Sequence, residues 1–497
     1  MSFRHCLGLS LLIISISACH VAKPEASGRE QAKADLMDGA SVKTIQGHMK
    51  AGDYTAADLT QASLEQIRTK DGALNAVIVV NPDALAQARA IDEARKSGQD
   101  LGPLMGIPVL IKDNIETQDN MATTAGSLAL KDNITHRDAP LVARLRAGGA
   151  IFLGKTNLSE WANIRSNHAI SGWSGVGGLV ANPFDHARTA CGSSSGSGAA
   201  VAAGLAPLAV GTETDGSVTC PASMNGLVGL KPTVGLVSRT YVVPISHSQD
   251  TPGPMGHNVA DVAAMLTIMA GSDPSDKATA EADSRKRDYT KGLTAYSLKG
   301  VRIGVIRDIS HDAKTNAVFE MALNTLRDQG AVLVDIKDSS VEGLGDAETT
   351  VLMTEFKADL NTYLASTPST VKTRTLADVI AFNTAHAAQE MPYFGQELFE
   401  QAEQTKGLTD SAYIKAAAFA KSASSARIDG LLAANKVTVM VAPTYGPVWL
   451  SDLIYGDQYD GPSATQLSAT SGYPHLTVPM GKVQGLPVGL SFIGPKW

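Results

Sequence analysis

Several signals of particular function classes are missing from this 497-residue sequence. It has no excess of basic residues, because 42 Lys and Arg against 49 Asp and Glu give a formal net charge of −7. Since it also lacks a Lys/Arg stripe and any nucleic-acid-binding motif, we expect no nucleic-acid partner. The 11 histidines form no His-Glu-x-x-His motif or paired cluster, and Cys191 and Cys220 lack the spacing of metal ligands. We therefore predict a protein without a metal or other cofactor.

The amino terminus lacks an apolar run long enough to cross a membrane. The apolar stretch 7–16 follows a basic start, and this length is typical of a signal peptide rather than a span. The next residues, Ser-Ala-Cys19, complete a pattern that resembles a bacterial lipobox, so we predict a lipoprotein signal over 1–19 with Cys19 lipidated and anchoring the protein to a membrane. Cleavage after Ala22 is the alternative. Either event predicts an exported bacterial protein, periplasmic or membrane-anchored, with polar residues 20–40 as a mobile tether.

Lys112 stands at the end of an apolar segment, 107–111, that is predicted to be a buried strand. Burial disfavours the ammonium, so a neutral amine here would need hydroxyl groups rather than carboxylates around it. The neighbouring Asp113 should lie on the opposite face of the strand. Taken alone, Lys112 is explained as well by a side chain that extends to solvent. The two motifs that follow favour a catalytic base.

Two serine-containing loops follow Lys112 in the chain. Ser193 lies in the run Gly-Ser-Ser-Ser-Gly that opens a helix of small residues, and Ser217 closes Gly-Thr-Glu-Thr-Asp-Gly-Ser after a short strand, 208–210. The helix and strand have comparable lengths, so the chain can return and bring the two serines together. A flexible linker and a plain Asp-Gly turn are the alternatives. With Lys112, the loops supply nucleophile, proton shuttle and base for acyl transfer.

A second hydrolase pattern overlaps the first loop. Gly-Ser-Ser194-Ser-Gly matches the nucleophile elbow of α/β-hydrolases with Ser194 as the nucleophile. That motif requires a hydrophobic strand directly before it, whereas residues 182–190 are polar and contain a proline. The sequence therefore disfavours the elbow.

The three motifs, in this order, resemble those of the amidase signature family. Further blocks that resemble the family are Thr123–Ser127, Lys155–Glu160, Gly229–Ser238, Gln249–Pro254, Gly472–Pro479 and Gly485–Leu490. The resemblance implies an α/β fold in one large domain, 41–497, with a mixed central β-sheet flanked by helices. It also implies a catalytic core over about 100–260.

The family uses a Ser–cisSer–Lys triad, and the resemblance implies a role for each motif residue. Ser217 would attack the amide carbonyl, Ser193 would relay the proton after a cis peptide from Gly192, and Lys112 would be the base. The backbone donors of the oxyanion hole would be those of Thr214, Asp215, Gly216 and Ser217. The residues expected to contact the substrate are Ser194, Trp161 and Ala162.

The loop before Ser217 departs from the usual family pattern. Glu-Thr-Asp-Gly-Ser217 stands where Asp-x-Gly-Gly-Ser is usual, so Asp215 adds a carboxyl group that must point away from the oxyanion or be neutralised. The variant is similar to that of bacterial peptide amidases, which remove the C-terminal carboxamide of peptides. It favours a peptide amide or another small amide as the substrate.

Export would leave two cysteines for pairing, because Cys6 leaves with the signal and Cys19 is acylated. Cys191 lies two residues before Ser193 and Cys220 lies three after Ser217. If the serines meet, the thiols can pair in an oxidising compartment. Two separately buried free thiols are the alternative.

Residues 309–432 are predicted to be mostly helical and are less like the family, so we expect the pocket wall and the substrate specificity there. Family members usually carry a further helix after the stretch that matches 485–497, whereas this chain stops at Trp497. We therefore expect a truncated sequence.

Two other functions stay open. The glutamine-hydrolysing component of a tRNA-dependent amidotransferase is weakened by the acidic charge and the predicted signal. A lipoprotein that binds without catalysis is weakened by the intact triad.

Overall fold

One mixed sheet of eleven strands organises the fold, as seen in a computed structural model that describes residues 25–309, 312–459 and 461–497. The predicted signal peptide, Cys19 and both cleavage sites lie outside the described residues. Within these ranges, no helix combines the length and the apolar character that a membrane span requires. The single α/β domain with a mixed central sheet and flanking helices is confirmed.

The strands in chain order are β1 (Val77–Val80), β2 (Pro108–Lys112), β3 (Ile151–Thr156), β4 (Trp173–Ser174), β5 (Gly178–Leu179), β6 (Ala181–Asn182), β7 (Asp185–Thr189), β8 (Leu208–Glu213), β9 (Val228–Lys231), β10 (Thr251–Gly256), β11 (Arg302–Ile306), β12 (Val332–Ile336), β13 (Val439–Pro443), β14 (His475–Val483) and β15 (Leu486–Ile493). The helices are α1 (Glu25–Met37), α2 (Val42–Ala51), α3 (Ala56–Lys70), α4 (Ala84–Lys96), α5 (Pro140–Ala147), α6 (Ser195–Ala202), α7 (Thr219–Met224), α8 (Val259–Met269), α9 (Ala282–Arg285), α10 (Ala313–Asp328), α11 (Leu344–Ala365), α12 (Leu376–Ala385), α13 (Ala387–Glu390), α14 (Glu397–Glu403), α15 (Ser411–Asn435) and α16 (Gln466–Ser471).

The sheet has the order β1-β3-β2-β8-β10-β9-β14-β15-β13-β11-β12. Strand β2 runs parallel to both β3 and β8, and Ile111 pairs with Val210. All residues of these three strands are buried, as their continuous apolar runs predict for parallel strands covered on both faces. Because β2 and β8 are parallel, Lys112 and Glu213 end neighbouring strands at the same edge of the sheet.

Alternation along β2 explains which side of the sheet Lys112 faces. Val109 and Ile111 pack into one apolar cluster, whereas Leu110 packs into another together with Ala199 and Ala200 of α6. Side chains two apart in a strand share a face, so Lys112 projects to the same side as Leu110. The loop that opens α6 carries Ser193, and this places the serine over the lysine.

Two segments differ from the sequence predictions. Residues 25–37, placed in a mobile tether, form α1, and its Ala32 and Leu36 are buried in the core. The tether is therefore wrong from residue 25, because two apolar side chains at helical spacing suffice to dock an otherwise polar helix. The sequence of residues 41–99 predicts helices; the structure has helices there and also β1, which adds an edge strand to β3.

Candidate active site

Lys112 is fully buried, and its amine is surrounded by oxygen atoms. Its Nζ donates to Ser193 Oγ at 2.7 Å, to Thr212 Oγ1 at 2.9 Å and to the Thr212 carbonyl at 3.3 Å. Burial lowers the pKa of the Lys112 amine to about 7, although the carboxylates of Asp250 and Glu213 act in the opposite direction. The hydroxyl environment anticipated from the sequence is thus present, and the amine can be neutral at physiological pH.

Ser193 lies next to the Lys112 amine, in the loop that opens α6. The Gly192–Ser193 peptide is cis, as the resemblance implied. Ser193 is fully buried, and its carbonyl accepts the N–H of Ser159 at 3.0 Å. Its hydroxyl is therefore held in one place, in hydrogen-bond contact with Lys112.

Ser217 is the predicted catalytic residue that reaches the cavity. It lines a cavity of about 370 Å³, whereas Lys112 and Ser193 do not. Its carbonyl accepts the N–H of Ser194 at 3.1 Å, which joins the two serine loops through their backbones. A nucleophile has to contact the substrate while a relay and a base need not, so this arrangement fits the predicted roles.

The side chain of Glu213 stabilises the loop from Thr214 to Ser217. Glu213 Oε2 accepts the N–H groups of Val218 and Thr219 at 2.8 and 2.9 Å. In the part of the chain that the structure describes, the N–H groups of residues 215–217 donate to no other residue. They are consequently available for an oxyanion at Ser217.

Two features fix the shape of this loop. Thr214 Oγ1 donates to Asp250 Oδ1 at 2.5 Å. Gly216 adopts a left-handed φ of 78°, and a Cβ there would lie 2.4 Å from the Tyr445 hydroxyl. The second glycine of the motif is therefore required both by conformation and by space.

Asp215, the departure from the family pattern, lines the cavity. Burial raises the pKa of its carboxyl well above the ordinary range, and the nearby Glu348 raises it further. A protonated carboxyl carries no charge to oppose the oxyanion. The sequence left two possibilities for the Asp215 carboxyl group, which were pointing away from the oxyanion and losing its charge. The raised pKa favours the loss of charge.

The cavity wall is built mainly by two stretches outside the expected region. One is 162–171, and the other comprises Tyr445, Trp449, Asp457 and Tyr459 after β13. Among the described residues of 309–432, Leu352 alone lines the cavity. The expectation that 309–432 forms the pocket wall is wrong, because its helices pack behind the wall rather than along it.

The three residues expected to contact substrate differ in position. Ala162 lines the cavity. Trp161 is buried in an apolar cluster, with its ring 6.0 Å from that of Phe399. The expectation that it contacts the substrate is therefore wrong, because its side chain packs in the core. Ser194 is also corrected: its hydroxyl donates to the Thr212 carbonyl at 3.1 Å and accepts the Thr212 N–H at 3.2 Å. This also removes Ser194 as the nucleophile of an elbow.

Sequence reasoning missed Thr212 and the aromatic wall. Thr212 is a partner of both Lys112 and Ser194, and only the pairing of β2 with β8 reveals this. The aromatic rings follow a strand in a chain with only 5% aromatic residues. Tyr445 and Trp449 in one loop were therefore a usable signal of a binding surface.

A cluster of possible metal ligands lies outside the cavity. His247, Glu355 and Asp359 place their ligand atoms within 4.8 Å of one another. The imidazole contacts Asp359 at 2.9 Å and Glu355 at 3.3 Å, and the hydrogen bond to Asp359 raises the pKa of His247. These contacts are also those of an ion pair between the imidazole and two carboxyl groups, so the cluster by itself does not indicate a metal site.

Cys191 and Cys220 form a disulfide with a Cα–Cα distance of 5.9 Å, which settles the pairing left open by the sequence. It spans 29 residues and ties the loop of Ser193 to that of Ser217.

Replacing both cysteines with alanine should lower the free energy of unfolding by about 3–4 kcal/mol, since the unfolded chain regains the entropy of a loop of this length. Urea unfolding of the double variant measures this, with reduced wild type as the control. Equal midpoints for oxidised wild type and the variant would contradict the prediction.

Comparison with known proteins identifies chains that are similar in sequence and structure. The family model described as Amidase matches residues 58–497. A probable amidase of Arabidopsis thaliana is 39% identical over 469 residues, covering 92% of this chain and 87% of the relative. The X-ray structure of the native peptide amidase from Stenotrophomonas maltophilia is 48% identical with a TM-score of 0.87, covering 92% of this chain and 93% of that chain. A glutamyl-tRNA(Gln) amidotransferase component from Chloroflexus aurantiacus is 35% identical over 483 residues, covering 91% of this chain and 92% of the relative.

Proposed function

Since the chain belongs to the amidase signature family and is a hydrolase of amide bonds, we propose that it cleaves carboxylic amides through an acyl-enzyme on Ser217. The observation that carries this proposal is the line of groups from the cavity inward. Ser217 lines the cavity, its carbonyl accepts the N–H of Ser194 at 3.1 Å, and the buried hydroxyl of the adjacent Ser193 lies 2.7 Å from the Lys112 amine. The products are an acid and ammonia or an amine.

The reaction runs in two halves with the same proton path. Ser217 Oγ attacks the carbonyl carbon while its proton passes to Ser193, and the proton of Ser193 passes to neutral Lys112. The backbone donors of Thr214, Asp215, Gly216 and Ser217 hold the oxyanion. When the tetrahedral intermediate collapses, the proton returns through Ser193 to the leaving nitrogen. Water then attacks the acyl-enzyme by the same path, which regenerates Ser217 and releases the acid.

For the substrate, the proposal is the C-terminal carboxamide of peptides. The motif variant around Asp215 and the 48% identity to a peptide amidase support it. A carboxamide releases ammonia, so nearly all of the substrate lies on the acyl side. The cavity of about 370 Å³ has room for this acyl group.

A panel of amides tests the proposal directly. Peptide amides, aryl amides, fatty amides and glutamine are assayed for release of ammonia or amine, and peptide amides should show the highest kcat/KM. Hydrolysis of glutamine alone would favour the role of the tRNA-dependent amidotransferase, since the chain is 35% identical to a component of one such enzyme. No turnover of any member would favour a binding protein on the same scaffold.

The site of action is proposed to be outside the cytoplasm. The apolar stretch 7–16 and the Cys19 motif support export, and the Cys191–Cys220 disulfide is of the kind that persists in oxidising compartments.

Cys19→Ser should therefore move the protein from the membrane fraction to the soluble periplasm, because lipidation requires the thiol. Cell fractionation with immunoblotting reads the outcome, and Cys6→Ser is the matched control that should stay membrane-bound. Unchanged membrane attachment of Cys19→Ser would contradict the lipid anchor.

A further inference from the structure

The segment 449–459 has two sides with different roles. On its inner side, Trp449, Asp457 and Tyr459 line the catalytic cavity. Between them the chain turns outward and exposes large apolar side chains, with Ile454 81% and Tyr455 67% exposed. The outer apolar side chains are Leu450, Leu453, Ile454 and Tyr455, and we refer to them as the outer face. In the chain, this face is flanked on both sides by residues that line the cavity.

The outer face is held in place by hydrogen bonds. Asp452 Oδ1 accepts the N–H groups of Ile454 at 2.8 Å and Tyr455 at 3.0 Å, which closes the turn. Asp457 accepts Trp449 Nε1 at 3.0 Å and the backbone N–H of Ser171 at 3.1 Å, which ties the segment to the opposite wall. The apolar side chains are therefore presented by an ordered turn.

The first residues of the segment are fixed by strand pairing as well. The N–H of Thr189 donates to the Trp449 carbonyl and the N–H of Ser451 donates to the Ala187 carbonyl, both at 3.0 Å. The first residues of the segment therefore pair with the end of β7. Single exposed apolar residues are ordinary, but four on one fixed turn beside a cavity are typical of a recognition surface.

We propose that the outer face is the docking surface for apolar side chains of the peptide substrate, at the positions that precede the residue bearing the amide. The inference rests on the proposed function. In a C-terminal peptide amide the whole peptide lies on the acyl side of the scissile bond. With the carbonyl at Ser217, the rest of the peptide must leave the cavity along its wall, and segment 449–459 is one of the two stretches that form this wall.

The charge of the segment favours a peptide over a membrane. Residues 449–459 contain no Lys or Arg, and their two acids are used in the internal hydrogen bonds described above. A surface that binds anionic lipid needs basic residues around its apolar side chains. An uncharged apolar peptide needs none, and it gains affinity from burying Ile454 and Tyr455.

The test is the double substitution Ile454→Ser/Tyr455→Ser in the full chain, assayed with three amides that share one C-terminal residue. For a tetrapeptide amide with apolar preceding residues, KM should rise about tenfold while kcat stays within about twofold, because the contact is made equally in the ground and transition states. For a tetrapeptide amide with serine at those positions, and for the N-acetylated single-residue amide, both constants should be unchanged. Unchanged KM for the apolar tetrapeptide amide would overturn the inference.

Tyr296→Ser provides the matched control. Tyr296 is 86% exposed and does not line the cavity, so its removal should leave all three KM values as in wild type. The single variant Ile454→Ser should show a smaller rise in the same KM, which guards against a folding defect in the double variant. An equal rise for Tyr296→Ser would also overturn the inference, since the effect would then not belong to the outer face.

Sedimentation with phosphatidylcholine and phosphatidylglycerol vesicles tests the membrane alternative, with Cys19→Ser in both proteins so that the proposed lipid anchor does not contribute. If Ile454→Ser/Tyr455→Ser loses vesicle binding but keeps the wild-type KM for the apolar peptide amide, the outer face contacts lipid and the peptide assignment is overturned. Failure of the proposed function is distinguishable from both outcomes. In that case wild type itself would turn over no peptide amide.

Discussion

Replacing Ser217 with alanine should reduce amide hydrolysis by roughly 10⁴-fold or more. Of the three proposed catalytic residues, Ser217 is the one that lines the cavity, and no acyl-enzyme can form without its hydroxyl. Neighbouring serines cannot substitute for it. The Ser194 hydroxyl donates to the Thr212 carbonyl, and the Ser193 hydroxyl contacts the Lys112 amine and does not line the cavity.

Two measurements check this prediction. One is kcat/KM on the best amide of the panel, and the other is covalent labelling by a serine-directed phosphonate with mass spectrometry of the intact protein. Ser195→Ala is the matched control, because its buried hydroxyl lies at the start of α6, two residues after Ser193, and has no hydrogen-bond partner among the described residues. It should keep near-normal activity and full labelling. Full labelling of Ser217→Ala would refute the assignment of the nucleophile.

The inner part of the site could be read from the sequence because it depends on local patterns. A continuous apolar run predicts a buried parallel strand, and the two serine loops, rather than Lys112 alone, favour a buried neutral amine at its end. Glycine-rich loops next to a strand and a small-residue helix predict closely approaching backbones. The structure brings Lys112 Nζ and Ser193 Oγ to 2.7 Å, through the pairing of β2 with β8 and the packing of α6 on Leu110.

The outer part of the site could not be read in this way, because it depends on contacts between distant segments. Trp161 turns into an apolar cluster with Phe399 rather than into the cavity, and the sequence around it does not say which side it takes. The wall instead comes from residues 162–171 and the segment 449–459, which meet through Asp457 and Ser171. No periodicity in either segment encodes that meeting.

The amino-terminal helix shows a similar limit. Residues 25–37 are polar in composition, and such a composition is typical of a tether. Burial of Ala32 and Leu36 against the core docks the helix nevertheless. Composition averages over a segment, whereas docking depends on one face of it.

Lys112→Arg should lose about 10³-fold or more in kcat/KM although the protein folds. The proposed base must be neutral to accept the proton of Ser193, and burial lowers the pKa of Lys112 to about 7. A guanidinium keeps its charge at any working pH, so it fills the space without accepting a proton. Lys112→Met, which has a similar length and no charge, should lose as much. Ser193→Ala should be damaging too, but less so where a water bridges Ser217 and Lys112.

The sign of the pH dependence follows from the same pKa. Below pH 7 the amine of Lys112 is protonated, so kcat/KM should fall about tenfold per pH unit on the acid side and level off above pH 7. The negative charges of Asp250 and Glu213 raise this pKa against the effect of burial. Asp250→Asn removes one of them and keeps one acceptor oxygen, for either Thr214 or the N–H groups of Ile245 and Ser246, so its acid limb should shift to lower pH.

The decisive measurement is kcat/KM against pH for wild type, Lys112→Arg, Lys112→Met and Asp250→Asn, with circular dichroism to confirm folding. If Lys112 is a base that acts through Ser193, the kcat/KM profile of wild type should have an acid limb near pH 7. In Asp250→Asn this limb should lie at lower pH. Both lysine variants should lack activity and therefore show no limb. A structural lysine gives a different pattern, because Lys112→Arg would then keep its activity wherever it folds. A folded Lys112→Arg enzyme with near-normal kcat/KM would exclude Lys112 as the base. It would also exclude the proposed proton path through Ser193.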